Sequence, residues 1–337
     1  MNPFISVVIT AYNRREFLKY AVKSVLNQTL DKGLYEIVVV KNFKDSEVDK
    51  LIEQNRGKVI ELDVASIGVK FARGIEEAEG EIVAFLEDDD IYMPTKLVRI
   101  YDVFSNDEEL IYFHHNVATI SQDGKPIIDE LIERTNINMF LRAGSINDKK
   151  KILAKYGWSL GLRNSSITVR KSFIKRYVNV IRHFPDVVDV LLYLLALSSE
   201  GAILHSPEKL TWFRLTSTSA SSVRFVKDPE ARFRRAVKNA ARHALARHAL
   251  VVTSRLLNRW LAKYTNYDEA SIIGGIFSDW GVWLAKPLIN YIIGNRPSVK
   301  YLGTAIFGLT YLLNPTLAKR MIYYYYTKFS PISFSWL

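Results

Sequence analysis

The sequence predicts an α/β fold: a mostly parallel sheet with helices on both faces, followed by an α-helical C-terminal region. Three observations carry this. Between positions 5 and 104, short β-branched apolar runs alternate with apolar stripes of helical period. Within the runs apolar residues are near-continuous, as in strands covered on both sheet faces. Beyond Asp228-Pro229, a helix-start pair, the pattern turns helical.

The elements follow in order. Positions 5–10 (Ile-Ser-Val-Val-Ile-Thr) read as the first buried strand, and Ala11-Tyr12-Asn13-Arg14 as the loop after it. Phe17, Leu18, Ala21, Val22, Val25 and Leu26 place a helix over 15–28. A second strand covers 35–40, Asp45 or Ser46 caps a helix to Asn55, and a third strand covers 58–62. Over 68–79 a helix turns Val69, Ala72, Ile75 and Ala78 inward, and Gly80 ends it. The fourth strand, from Glu81, runs straight into Glu87, Asp88, Asp89 and Asp90, and Pro94 then opens a helix to Phe104.

Further on come a strand over 110–117 with His114 and His115, a hairpin-type turn at 121–125 and a helix over 129–147. A short strand within 162–170, a helix over 186–197 and strands at 202–205 and 210–215 complete the α/β part. The Ser/Thr-rich stretch 216–222 divides a domain 1–222 from a region 223–337.

In open parallel sheets ligands gather at the carboxyl ends of the strands. The segments 10–14, 41–42 and 87–90 all fall at that edge. Four adjacent carboxylates persist either on a solvated loop or around a cation, and oxygen ligands of this kind suit Mg²⁺ or Mn²⁺.

Composition limits the alternatives. The chain has 337 residues, 48% hydrophobic and 24% charged, enough for a large core. It has no cysteine, which removes disulfides, thiolate metal sites and a cysteine nucleophile. Positions 224–263 hold eleven Lys/Arg against two acids, so most of the net charge of +11 lies in one segment. Such a segment fits an anionic membrane surface, an acidic partner or nucleic acid. His243 and His248, in a local Ala-Arg-His-Ala-Leu duplication, read as solvated.

Apolar segments at 272–284 and 302–313 are interrupted too early to span a bilayer, and 323–326 are four tyrosines, with Trp336 beyond. The region therefore reads as a monotopic, surface-bound segment, or else as a helical domain or oligomer interface. No signal-peptide pattern precedes the first strand, so the expected location is cytoplasmic, with peripheral attachment at the inner face of the cell membrane.

The order of these motifs resembles a family 2 glycosyltransferase of the GT-A fold. The resemblance rests on positions 5–14, the helix 18–29, the strand 35–40, Ala72-Arg73-Gly74-Ile75, and 78–90 ending in an Asp-x-Asp-type motif. It rests also on Asp189, twelve residues before Gly201, and on 210–214 (Leu-Thr-Trp-Phe-Arg). The sequence departs from the family at four places. Lys41-Asn42 stands where the family has an acid pair that holds the nucleotide base. Glu87 is the first acid of the motif, Val188 precedes the base, and Thr216 stands where a histidine is common.

The resemblance implies transfer of a sugar from a nucleotide-diphosphate donor to an acceptor hydroxyl, with inversion. It implies Mn²⁺ or Mg²⁺ held by Asp89 with Glu87, and donor contacts from Thr10, Ala11, Tyr12, Arg14, Asn42, Arg73, Glu87, Asp88 and Arg214. Asp189 is the expected general base, with Asp186 as the alternative. Trp158, Asn164 and Ser165 fall in the acceptor region, and the membrane-surface tail suggests a lipid-linked or cell-envelope glycan acceptor. Two other readings remain: a catalytically silent nucleotide-sugar-binding protein, and a nucleic-acid-binding protein working through 224–263, although no nucleic-acid reading module is present.

Overall fold

A computed structural model describes residues 2–184, 186–216, 228–278, 280–294 and 299–328. The expected boundary stretch from position 217 onward, Arg224, Lys227 and Trp336 lie outside the described residues. The chain divides into two compact units, Met1–Arg214 and Leu215–Leu337.

The first unit holds strands β1 (Ile5–Thr10), β2 (Tyr35–Lys41), β3 (Lys58–Glu61), β4 (Ile82–Glu87), β5 (Ile91–Tyr92), β6 (Leu110–Ile120), β7 (Pro126–Ile127), β8 (Leu141–Ala143), β9 (Ile167–Arg170) and β10 (Ala202–Arg214). Its helices are α1 (Arg15–Leu26), α2 (Ser46–Gln54), α3 (Ile67–Glu77), α4 (Lys96–Ser105), α5 (Glu130–Glu133), α6 (Ile146–Tyr156), α7 (Lys171–Ile174), α8 (Val178–Arg182) and α9 (Val188–Ser198). The strand order is β3-β2-β1-β4-β9-β6-β10-β5. As expected, β1, β2, β3 and β4 run parallel. The sheet then becomes mixed, because β9 enters antiparallel between β4 and β6.

Two registers decide what meets at the carboxyl edge. Thr10 lies opposite Val40 on one side and Glu87 on the other, so the loops after β1, β2 and β4 leave the sheet at one level. The reversed β9 brings its amino end to the same level: Ile82 pairs with Arg170 and Ala84 with Thr168, so the turn before Ile167 sits beside Glu87. Every residue of β1 and β2 is buried, as their unbroken apolar character requires. Ile5, Val7 and Ile9 join Leu18, Val22, Val25, Ile37 and Val39 in one core, with Leu97 and Ile100 of α4. Burying each such side chain is worth about 1.5–3 kcal/mol.

Three expected elements change. The predicted helix 129–147 is only the short α5, strand β8 and the start of α6. Side chains of β6 and of this segment trade hydrogen bonds that a helix would have supplied. The Asn136 amide group donates to Val117 O (3.0 Å) and its Oδ1 accepts from Val117 N (3.2 Å), while Asn116 Oδ1 accepts from Ile137 N (2.9 Å). The strands expected at 202–205 and 210–215 are one irregular strand, β10. Helix α9 begins at Val188, which leaves Asp186 outside it.

The second unit is helical: α10 (Pro229–Leu257), α11 (Glu269–Phe277), α12 (Ala285–Gly294), α13 (Val299–Leu313) and α14 (Pro315–Lys328). The histidines expected to be solvated are partnered instead. His243 Nε2 lies 3.1 Å from Asp268 Oδ2, and His248 Nδ1 lies 2.8 Å from the Tyr267 hydroxyl. Among the described residues no helix is long and apolar enough to cross a membrane.

Gly80 marks the closest backbone approach beneath the fourth strand. A Cβ there would lie 2.7 Å from Ser6 N, and Gly80 N donates to Ser6 Oγ (2.8 Å). Gly80→Val is expected to lower stability by about 1–3 kcal/mol through overpacking. A thermal melt that drops by about 2–4 °C per kcal/mol checks it, and an unchanged midpoint contradicts it.

Candidate active site

The four carboxylates are not a solvated loop. Asp88, Asp89 and Asp90 are buried, and Glu87 is half-buried at the end of β4. Burial of adjacent charges demands cations, and the fold supplies them from two directions. Arg14, just before α1, pairs through one Nη with Asp88 and through the other with Asp89 Oδ2 at 2.5 Å. Arg214, at the end of β10, donates Nε to Asp89 O (2.8 Å) and its backbone N to Asp90 Oδ1 (2.9 Å). Its guanidinium also lies 5.1 Å from the Phe17 ring centre.

The carboxyl groups of Glu87, Asp88 and Asp90 are held above the ordinary carboxylate range. Burial pushes Asp88 up to about 7 despite Arg14 beside it, and burial with Asp89 pushes Asp90 up to about 7. Glu87 is raised well above its usual value by burial, then by Asp89, Asp90 and Asp189. For Arg14 burial works the other way, but Asp89 and Asp88 outweigh it and keep it protonated.

The loop after β1 closes over this run. Tyr12 N donates to Asp88 Oδ2 (3.3 Å), and Ala11 N to Val40 O (2.9 Å). Asn13 and Asn42 bond reciprocally: Asn13 N to Asn42 Oδ1 at 2.9 Å, and Asn42 Nδ2 to Asn13 Oδ1 at 2.8 Å. Lys41 is buried and held by Phe43 O and Asp49.

On the other side stands Asp189, in the first turn of α9. Its Oδ2 accepts from Arg163 N and its Oδ1 from Val190 N, both at 2.8 Å. Burial pushes its carboxyl up to about 6. The residues that fix it are strained: Arg163 has φ +66° and Val187, a β-branched residue, φ +50°. Such outliers persist where the surroundings over-determine them, commonly at functional sites. Asp186 instead turns its Oδ1 onto Val187 N (2.9 Å), in the strained turn before α9.

The turn before β9 completes the wall. Ser165 Oγ accepts from Glu87 N (3.0 Å), and Ser165 O accepts from Lys96 Nζ (2.5 Å) and Thr211 Oγ1 (3.1 Å). Ser165 is fully buried, so it props the acidic run. Asn164 Oδ1 is buried without a partner in the structure. Trp158 packs edge-on against Tyr193, ring centres 6.0 Å apart.

The structure thus brings Thr10, Ala11, Tyr12, Arg14, Asn42, Glu87, Asp88, Asp89, Arg214, Ser165 and Asp189 to one edge of the sheet. Arg73 pairs along α3 with Glu77 at 2.6 Å and is half exposed. Lys70 was missed. It is buried in the first turn of α3, 4.5 Å from the Tyr12 ring centre, and burial lowers it to about 8 while Asp88 pulls it back up. The sequence carried a signal for it, since a lysine at a helix N-terminus opposes the helix dipole and calls for an anion nearby. Lys96, buried under Asp90 and 3.5 Å from the Tyr92 ring centre, was missed too.

Among the described residues no three His, Asp or Glu side chains converge to cage a metal. The donor set fits the other arrangement, in which one or two carboxylates share a Mg²⁺ or Mn²⁺ with phosphates and water. Asp90, next to Asp89 in the run, is buried and accepts a hydrogen bond from Arg214 N.

Residues 6–167 match the model of the Glycosyl transferase family 2 family. An uncharacterized glycosyltransferase of Nostoc sp. is 38% identical over 118 residues, covering 33% of this chain and 36% of that protein. A putative teichuronic acid biosynthesis glycosyltransferase, TuaG of Bacillus subtilis, is 28% identical over 132 residues, covering 37% and 51%. The chain spans about a third of the length of the first curated relatives it matches. In structure it is similar to S. aureus TarS 1-349 in complex with UDP, with TM-score 0.53 and 13% identity over 97% of this chain and 90% of that one. The complex of that protein with UDP-GlcNAc gives 0.52 and 15% over 94% and 91%. These likenesses establish the GT-A fold.

The buried acids set a pH dependence. Asp88 and Asp90, near 7 when folded, bind protons that the unfolded chain releases above about 3.9. Stability in cation-free buffer is therefore expected to fall as pH rises through about 7, by at most about 1.4 kcal/mol per pH unit per proton. Melting midpoints between pH 6 and 8 read this out. A flat or rising trend would mean that Arg14 alone balances the run.

Proposed function

We propose that this chain, whose residues 6–167 match the Glycosyl transferase family 2 model, transfers a sugar, with inversion, from a nucleotide-diphosphate donor to an acceptor hydroxyl. The observation that carries the reading is the facing pair of charged walls. One is a buried acidic run with Arg14, Arg214 and Lys70 around it; the other is a single carboxylate, Asp189, held near neutrality.

Each residue has a task in this reading. Asp189 takes the proton from the acceptor hydroxyl. A base whose carboxyl lies at about 6 is ionised at neutral pH yet basic enough to accept a proton. Arg163 N and Val190 N hold both of its oxygens, which fixes its direction. Attack from that side, opposite the leaving group, inverts the anomeric carbon. Arg14, Arg214 and Lys70 supply positive charge for the diphosphate, and Tyr12 a face for the base. Asp89 and Glu87 would hold Mn²⁺ or Mg²⁺, which would supply Lewis-acid stabilisation of the leaving diphosphate. Trp158 and Asn164 line the acceptor side.

The TarS structures matched above carry UDP and UDP-GlcNAc, which puts a uridine donor first in any screen. Lys41-Asn42 in place of an acid pair stands against it. The acceptor in this reading is a lipid-linked or cell-envelope glycan, reached by a protein bound peripherally at the inner face of the membrane.

Two measurements test the chemistry. A thermal-shift screen of nucleotide sugars with and without Mn²⁺ is expected to show stabilisation that needs both metal and one donor. No response to any donor would remove the reading. With the donor known, Asp189→Asn is expected to lower kcat by roughly 10²–10⁴-fold while leaving the donor KM near its wild-type value. The wild-type rate should fall as pH drops through about 6, because the protonated base cannot act. A variant with undiminished turnover would move the base elsewhere, Asp186 first.

A further inference from the structure

From Trp280 to Leu337 the chain contains no Asp or Glu, while Lys286, Arg296, Lys300, Lys319, Arg320 and Lys328 make it basic throughout. The same stretch is apolar on more than one side. Helices α12, α13 and α14 share an inner core of Leu288, Tyr291, Phe307, Tyr311, Ala318 and Ile322. That core accounts for one face of each helix.

The opposite faces are also apolar. On α13, Leu302 (61% exposed), Ile306, Leu309 and Leu313 (88%) recur at steps of four, three and four, which is one face of a helix. On α12, Ile289 and Ile293 repeat the pattern, and Trp283 just before it is 81% exposed. On α14, Leu317 and Tyr324 lie seven apart on one face, with Tyr323 and Tyr325 also exposed. A water-facing domain rarely leaves so many large apolar side chains uncovered together.

Charge decides what covers them. A second copy would set one acid-free basic surface against another. Nucleic acid would answer the charge and leave the Leu/Ile stripes in water. An anionic bilayer answers both, because its headgroups pair with Lys and Arg while its acyl boundary takes the stripes. Among the described residues none of α12, α13 and α14 is long enough to cross: α13, at 15 residues, spans about 22 Å against about 30 Å of hydrocarbon. Tyr and Trp belong at the headgroup level of such a surface.

We infer that the outward side of α12–α14, with Trp283, is a monotopic docking surface for an anionic lipid leaflet. The stripes of Leu302, Leu309 and Ile289 sink to the acyl boundary, and Lys286 and Arg320, both exposed, engage lipid phosphates. This deepens the peripheral location proposed above and is independent of the transfer chemistry.

The test is co-sedimentation of the full chain with extruded vesicles of phosphatidylcholine alone or with 30% phosphatidylglycerol at 0.1 M salt. Binding is expected on the anionic vesicles and at least tenfold weaker on phosphatidylcholine. Leu302→Glu/Leu309→Glu is expected to lower the binding at least tenfold. Lys286→Glu/Arg320→Glu, which leaves every apolar contact in place, should do the same and flatten the loss of binding with added salt. Circular dichroism and melting of both variants check that the fold is kept. Equal binding to both vesicles, or full binding by both variants, overturns the inference. So does light scattering that finds a dimer in buffer which Leu302→Glu/Leu309→Glu splits, since the face then belongs to a second copy. The same samples are screened for donor-dependent stabilisation. Sedimentation without a donor response would sink the transferase reading alone, and a donor response without sedimentation would sink this inference alone.

Discussion

Four carboxylates at the end of a buried strand are the constraint on which the first unit depends. Unpaired, each buried charge would cost several kcal/mol, so the chain must return cations to the same point from distant positions. Arg14 comes from the first loop and Arg214 from the last strand. Sequence separations of 75 and 125 residues are bridged at one place. The parallel register that sets Thr10 beside both Val40 and Glu87 makes this possible. Even so, the carboxyl groups of Asp88 and Asp90 stay near 7, so Arg14 and Arg214 balance the run only in part. A site left partly uncompensated favours a cationic ligand, which is the condition a metal–diphosphate donor meets.

The sequence disclosed those parts of the fold whose signal is local. Strands β1, β2 and β4 are unbroken apolar runs because both of their faces are covered, and that composition is visible in one dimension. The acidic run is adjacent in sequence, so its chemistry is visible as well. The antiparallel entry of β9 was not legible: its four residues carry no direction, and only pairing with β4 and β6 supplies one. The stretch 129–147 has helical spacing but gives way to bonds from Asn116 and Asn136, which depend on a strand some twenty residues away. Lys70 left only the faint signal of a lysine in the first turn of a helix, and its meaning depends on Asp88, which is distant in sequence.

Asp189 shows how the second wall is made rigid. Helix α9 is buried without a break from Leu191 to Leu197, so it cannot shift to adjust its first turn. The chain reaches it through Val187 in a left-handed conformation that a β-branched residue adopts only under compulsion. Arg163, also left-handed, presents its N–H to Asp189 and sends its guanidinium to Thr135 and the face of Phe213. Stability gained along the buried body of α9 is thus spent at its first turn, where direction matters.

The departures at Lys41 and Asn42 follow the same logic. Lys41 is fully buried and satisfied by Asp49 and Phe43 O, so it supports α2 and presents no charge to a ligand. Asn42 ties its loop to Asn13. Neither offers the carboxylate that would accept a hydrogen bond from a nucleotide base. Under the proposed function that task falls to the ring of Tyr12, which closes the same edge. A stacking face reads a base by area. Selectivity for the base would then come from contacts that tolerate more than one nucleotide, so the choice of donor in this chain is left more to the sugar and diphosphate than a carboxylate at position 41 or 42 would have allowed.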